Sequence, residues 1–236
     1  MNLDTIMRNV VKKSILPLSA IFAFFLTVGV AQAQVKLAAV FADSMVIQRD
    51  MPINIWGTAA KGEKIKITLH KKTYQGQADD NGAWLITLPA QQVATKQSIT
   101  VVNDNRIKPS IIELSNIAFG DVYLASGQSN MEFKVKEALT KFPQEEKLEQ
   151  YPDIRQFNVK RHYDFKAPQQ DVESGNWLRA SGKTVGEFSA VSWFYAKDLY
   201  QRYQVPIGII LSSVGATPVE SWMSVESLAS FPETQA

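Results

Sequence analysis

The 236-residue chain contains no cysteine and only two histidines, His70 and His162. Without cysteine no disulfide can form, so burial alone must hold the fold together. The same absence excludes thiol nucleophiles and cysteine-ligated zinc. A surplus of one charge is missing as well. Lys and Arg number 25 against 23 Asp and Glu, a formal net charge of +2, and no basic stripe of the kind that binds nucleic acid is present. There is no internal repeat and no low-complexity tract. Hydrophobic residues at 45% and charged residues at 20% are the proportions of an ordinary globular protein.

The start of the chain reads as a targeting segment. Arg8, Lys12 and Lys13 precede an apolar run from Ile15 to Val30, and Ala31-Gln32-Ala33 forms an A-x-A cleavage site. Pro17 and Gly29 bracket a run shorter than the ~20 apolar residues a membrane span needs. The pattern predicts a signal peptide over 1–33 and a mature chain beginning at Gln34. Such a chain would be periplasmic or extracellular, and off the membrane after cleavage.

Residues 34–117 read as an antiparallel β-sandwich module. Ile53-Asn54-Ile55-Trp56, Lys64 to Leu69 and Ser98 to Val102 alternate with period two. Asn81-Gly82 is a hairpin signal, with Ala83 to Leu88 as the strand returning from it. His70 ends one strand beside Lys71 and Lys72, an exposed structural position.

From residue 118 strands and helices alternate. Val122 to Ala125 form a short buried strand, and a polar helix follows from Met131 to about Lys141. The charged run Glu145 to Glu149 reads as a solvated face. Ile154 to Val159 alternate as a strand, and 163–182, with Pro168, Gly175 and Gly182, form a long irregular connection. Phe188, Val191, Tyr195 and Leu199 give one apolar helix face, widened by Trp193 and Phe194. After Pro206, Ile207 to Leu211 make a buried parallel strand. Strand, helix and strand in this order imply a parallel sheet with helices on both faces.

The chemistry concentrates where the first of these strands ends. Gly127 breaks the strand, and Ser129-Asn130-Met131-Glu132 has capping-box spacing. Backbone N–H groups and the helix dipole would then meet the serine hydroxyl, as acyl transfer requires. Serine is also a preferred helix cap, so the residues alone leave a structural reading open. Met131 stands where the G-x-S-x-G elbow has its second glycine, which excludes an α/β-hydrolase elbow. A second glycine block, Val214-Gly215-Ala216-Thr217-Pro218-Val219-Glu220, follows the buried strand, with Thr217 and Glu220 spaced as another capping box. In an open α/β sheet both loops would lie at the carboxyl ends of the strands, where ligands bind.

Gly120-Asp121-Val122-Tyr123-Leu124-Ala125-Ser126-Gly127-Gln128-Ser129-Asn130-Met131 closely resembles the first block of the SGNH hydrolases, in particular the sialate O-acetylesterase family. Val46 to Arg49, Ile55-Trp56-Gly57, Asn81 to Trp84, Glu187 to Ala190, Val205 to Gly208 and Gly215 to Trp222 extend the resemblance. It implies a β-sandwich module joined to a flavodoxin-like SGNH domain over 118–236, acting on an acetylated carbohydrate without metal or organic cofactor. Ser129 matches the nucleophile, and the N–H groups of Ser129 and Gly215 the oxyanion donors. The family more usually has Trp-Gly-Gly-Thr where this chain has Val214-Gly215-Ala216-Thr217. Its catalytic histidine usually stands in an Asp-x-x-His block, but Val159 precedes His162 by three and Ile67 precedes His70 by three. The sequence therefore reads as an N-terminal fragment or truncated product of a carbohydrate O-acetylesterase. A secreted, non-catalytic glycan-binding or adhesion protein is the alternative.

Overall fold

The computed structural model describes residues 34–104, 109–147, 151–164 and 166–231, so the leader expected at 1–33 lies outside them. The fold is mixed and rich in sheet. In chain order the strands are β1 (Lys36–Leu37), β2 (Val46–Gln48), β3 (Ile53–Thr58), β4 (Lys64–Leu69), β5 (Lys72–Gln77), β6 (Ala83–Leu88), β7 (Ala94–Asn103) and β8 (Ile111–Gly127). There follow α1 (Ser129–Glu132), α2 (Val135–Ala138), β9 (Ile154–Val159), β10 (Gly175–Arg179), α3 (Ala190–Tyr203), β11 (Ile207–Ser213) and α4 (Val225–Leu228).

Strands β1, β3 and β6 form one antiparallel sheet. A second sheet runs β10-β9-β11-β8-β7-β4-β5, with β2 also paired to β8. Alternation decides which side chains meet. Ile53 and Ile55 of β3 and Trp84, Ile86 and Leu88 of β6 share one core with Ile65 and Ile67 of β4, Ile99 of β7 and Phe119 of β8. The Asn81-Gly82 turn does not close a hairpin. Asp79 Oδ1 accepts the N–H groups of Asn81 and Ala83 at 2.8 and 2.9 Å. Gly82 sits at φ +80°, where a Cβ would lie 2.5 Å from the Ala59 carbonyl oxygen. The chain crosses there to the other sheet, and β6 pairs with β3 while β5 pairs with β4.

Strand β8 is far longer than the buried stretch at 122–125, and it runs through the boundary expected at 117/118. Its first part pairs with β7; β2 at 118–120 and β11 at 121–127 lie end to end along its other edge. Leu124 is 70% exposed rather than buried. Gly120 lets the strands approach, since a Cβ there would stand 2.0 Å from the Pro206 carbonyl oxygen. The three parallel strands take the order β9-β11-β8, so the last in sequence lies in the middle. A flavodoxin-like sheet puts the first strand there.

The expected helix layers are also revised. Ala125, Ile154, Ile207 and Ile209 pack with Val135, Phe188, Trp193 and Ala196 on the helical side. On the opposite side Val122, Phe157, Trp177 and Ile210 join the core of the N-terminal strands. β-structure, not a second helix layer, therefore meets that face among the described residues. The polar helix expected at 131–141 is two single turns, and β10 forms inside the stretch read as irregular. Helix α3 buries Ala190, Ser192, Trp193 and Ala196, leaving Val191 and Tyr195 about half exposed at 51% and 48%. Trp193, fully buried, sets the inward face, and Phe194 and Leu199 pack against the same core. Ser189 caps this helix by accepting the Ser192 N–H. Glu145, expected in a solvated run, is instead buried. It accepts Trp193 Nε1 at 2.7 Å and Lys197 Nζ at 2.8 Å.

One buried cation ties the layers together. Arg155 of β9 is 1% exposed and donates to the carbonyls of Ser44, Met45, Asn116 and Pro152, with Asp153 Oδ1 at 3.2 Å. Burial pushes its guanidinium pKa down, opposed by Asp153. Replacing Arg155 with Ala leaves these carbonyls without their donor and should cost about 2–4 kcal/mol. Urea unfolding of the full chain measures this, and a loss under about 1 kcal/mol would refute the role.

Candidate active site

Strands β8 and β11 pair in parallel register from Asp121 with Ile207 to Gly127 with Ser213. They end at the same level, and the Val214 N–H donates to the Gly127 carbonyl at 3.0 Å. The two glycine loops therefore leave the sheet side by side. Gly127 turns the chain at φ +133°, a region that favours glycine.

Ser129 is the first residue of α1 and is exposed. It is not the N-cap: Gln128 holds that place in an extended conformation, without a side-chain cap. The capping box therefore does not form: Ser129 lies inside the helix, and the Glu132 carboxylate is bonded to Gly215 and Arg161 instead. With only one turn in α1, little macrodipole can develop. The Ser129 hydroxyl donates to Gln128 Oε1 at 3.3 Å. Gln128 O accepts the N–H groups of Met131 and Glu132. The Ser129 and Asn130 N–H groups meet no acceptor among the described residues.

The second loop reaches this turn. A Cβ on Gly215 would lie 3.6 Å from the Ser129 Cβ. Yet the Gly215 N–H, expected to serve an oxyanion, is donated to Glu132 Oε2 at 2.6 Å. In this structure it is committed to a carboxylate. Glu132 Oε1 accepts Arg161 Nη2 at 2.7 Å. The Thr217 capping box is also not made. Pro218 holds the cap position, while Thr217 Oγ1 donates to the Val214 carbonyl and accepts Trp222 Nε1. Ala216 occupies φ +61°, so alanine stands in the left-handed conformation that glycine adopts more cheaply.

Neither histidine is bonded to the serine. His162 follows β9 at the same sheet edge, but its Nδ1 lies 3.3 Å from Glu173 Oε2 and its side chain is about half exposed. His70 lies at the β4–β5 turn, where Nε2 meets Gln97 Oε1 at 2.6 Å.

The segment Glu187 to Ala190 forms the support beneath the serine turn. Lys134 and Lys136 bond Glu187 at 2.6 and 2.9 Å and hold its carboxyl below the usual range, Lys134 foremost. The Phe188 carbonyl accepts the Val135 N–H. The Ser189 N–H donates to buried Gln156 Oε1, and the Ser189 hydroxyl lies 3.6 Å from Met131 Sδ. Sequence reasoning missed Glu132 and Arg161 as site residues. The position of Arg161 just past a parallel strand was the available signal.

The family described as carbohydrate esterase, sialic acid-specific acetylesterase, matches residues 119–231. Sialate O-acetylesterases of Homo sapiens and Pongo abelii are 28% and 27% identical over 217 and 218 residues, each match covering 82% of this chain. A crystal structure of a carbohydrate acetylesterase from Xanthomonas citri matches at 33% identity and a TM-score of 0.77, covering 83% of this chain. The chain spans only 39% of those two curated relatives and 44% of the Xanthomonas chain. The serine block, the second glycine loop and the parallel strands that carry them thus all lie in the segment that matches the sialic acid-specific acetylesterase family of carbohydrate esterases.

Proposed function

We propose that the serine turn and the Gly215 loop form the nucleophile side of a carbohydrate O-acetylesterase site. The observation that carries this reading is the register of β8 and β11, which sets Ser129 beside Gly215 at the carboxyl edge of parallel strands. Ser129 Oγ attacks the acetyl carbonyl of an esterified sugar, forming a C–O bond as the carbonyl π pair moves to oxygen. The Ser129 N–H is the donor on offer to that oxyanion; Gly215 joins it only when Glu132 releases its N–H. Collapse expels the sugar oxygen, which takes up, through solvent, the proton Ser129 Oγ gave up, and water then hydrolyses the acetyl-serine to acetate and restores the serine hydroxyl. The same reading divides the chain into a β-sandwich module at 34–117 and an SGNH-type domain from 118 onward.

Serine is a weak nucleophile without an adjacent base, and no imidazole touches Ser129 here. Acetate release from an acetylated sugar by the 236-residue chain should therefore be slow. What release there is runs through the unactivated Ser129 hydroxyl. Ser129→Ala should bring release down to the buffer rate, while His162→Ala leaves it unchanged. Release insensitive to Ser129→Ala, or absent in the parent, overturns the assignment. Fast release abolished in His162→Ala would instead make His162 the base.

We also propose export, from the basic residues, apolar run and Ala-x-Ala site at 1–33. Intact-mass measurement of exported protein should show a chain beginning at Gln34. Mature material that keeps Met1 would count against cleavage.

A further inference from the structure

Glu132 links three segments that are distant in sequence. Its backbone belongs to the turn that carries Ser129, one carboxylate oxygen accepts the Gly215 N–H at 2.6 Å, and the other accepts Arg161 at 2.7 Å. We propose that Glu132 is a positioning residue, whose carboxylate pins the second glycine loop to the serine turn and reserves the Gly215 N–H for that purpose. Its catalytic meaning rests on the esterase reading above; the contact itself does not.

Three features support the assignment. The bond is short and charge-assisted, the strong class of hydrogen bond. The approach is also close enough to be tested sterically: a Cβ on Gly215 would lie 2.9 Å from Glu132 Oε2 and would have to displace it. Finally, a lone carboxylate beside an attacking serine would oppose the developing oxyanion. Arg161, about half exposed, supplies the compensating positive charge on the other oxygen. Glu132 therefore sets where the loop sits without touching the reacting atoms.

The test is hydrogen exchange of the Gly215 amide, followed by NMR in the 15N-labelled full chain. Glu132→Ala should speed exchange about ten- to a hundred-fold, the loss expected for a hydrogen bond to a charged group. Glu132→Asp keeps the charge but is one methylene short, and should also exchange fast. Glu132→Gln keeps an acceptor oxygen at full reach and should restore most of the protection. Parent-like exchange in both the Ala and Asp variants overturns the proposal, as does fast exchange in all three. A second measurement guards against an unfolded variant. Gly215→Ala should lower the melting temperature of the parent, where the new methyl displaces the carboxylate, and do so much less in the Glu132→Ala background. Equal losses in both backgrounds refute the contact. None of these readouts uses turnover, so failed acetate release would sink the proposed function and leave this assignment standing.

Discussion

The parallel pairing of β8 with β11 is the constraint on which the site depends. Its register runs through Ser213 with Gly127, so both strands give out at one level and their loops start as neighbours. A displacement by one residue would turn every side chain of β11 to the opposite face, because the period along a strand is two. Ile207 and Ile209 would then leave the helical side, and Ile210 the core of the N-terminal strands. Burial on both faces thus secures the register, and the register brings Ser129 to Gly215.

β8 also explains why the N-terminal strands and the parallel strands are not independent layers. One continuous backbone carries β7 and β2 along its first part and β11 along its second. Arg155 adds a polar tie across the same junction, reaching back to carbonyls more than a hundred residues earlier. A buried guanidinium is costly unless its donors are satisfied. Here they find backbone acceptors and Asp153. Glu145 is treated in the same way at the helical side, where Trp193 and Lys197 satisfy it. In both places a charge enters the interior only with its partners.

The family assignment and the geometry answer different questions. The match to the carbohydrate esterase family spans 119–231, the segment that holds both Ser129 and Gly215. It does not say what holds the second loop. That role falls to Glu132, and the consequence is chemical: an N–H given to a carboxylate is not free for an oxyanion. Lys134 and Lys136 bond Glu187 just past the serine turn, so the segment that carries Ser129 has ionic as well as strand contacts.

Local features were legible from the residues themselves. Alternating runs announced β3, β4 and β9, the turn signal before Ala83 announced β6, Gly127 announced the end of β8, and the apolar run after Pro206 announced β11. These depend on neighbours within a few positions. What could not be read was decided by partners distant in the chain. Asn81-Gly82 looked like a hairpin because turn chemistry is local, whereas the choice of β3 over β5 as partner for β6 belongs to the core. Of the face expected on α3, Phe188, Trp193, Phe194 and Leu199 pack in the core, while Val191 and Tyr195 turn outward. Glu132 and Thr217 had capping spacing, yet bonds to Gly215, Arg161 and Trp222 claimed them. The sequence by itself determined where β3, β4, β6 and β9 run and which serine stands at the end of β8. Only the tertiary structure decided which N–H that carboxylate holds, because Glu132 and Gly215 lie 83 residues apart.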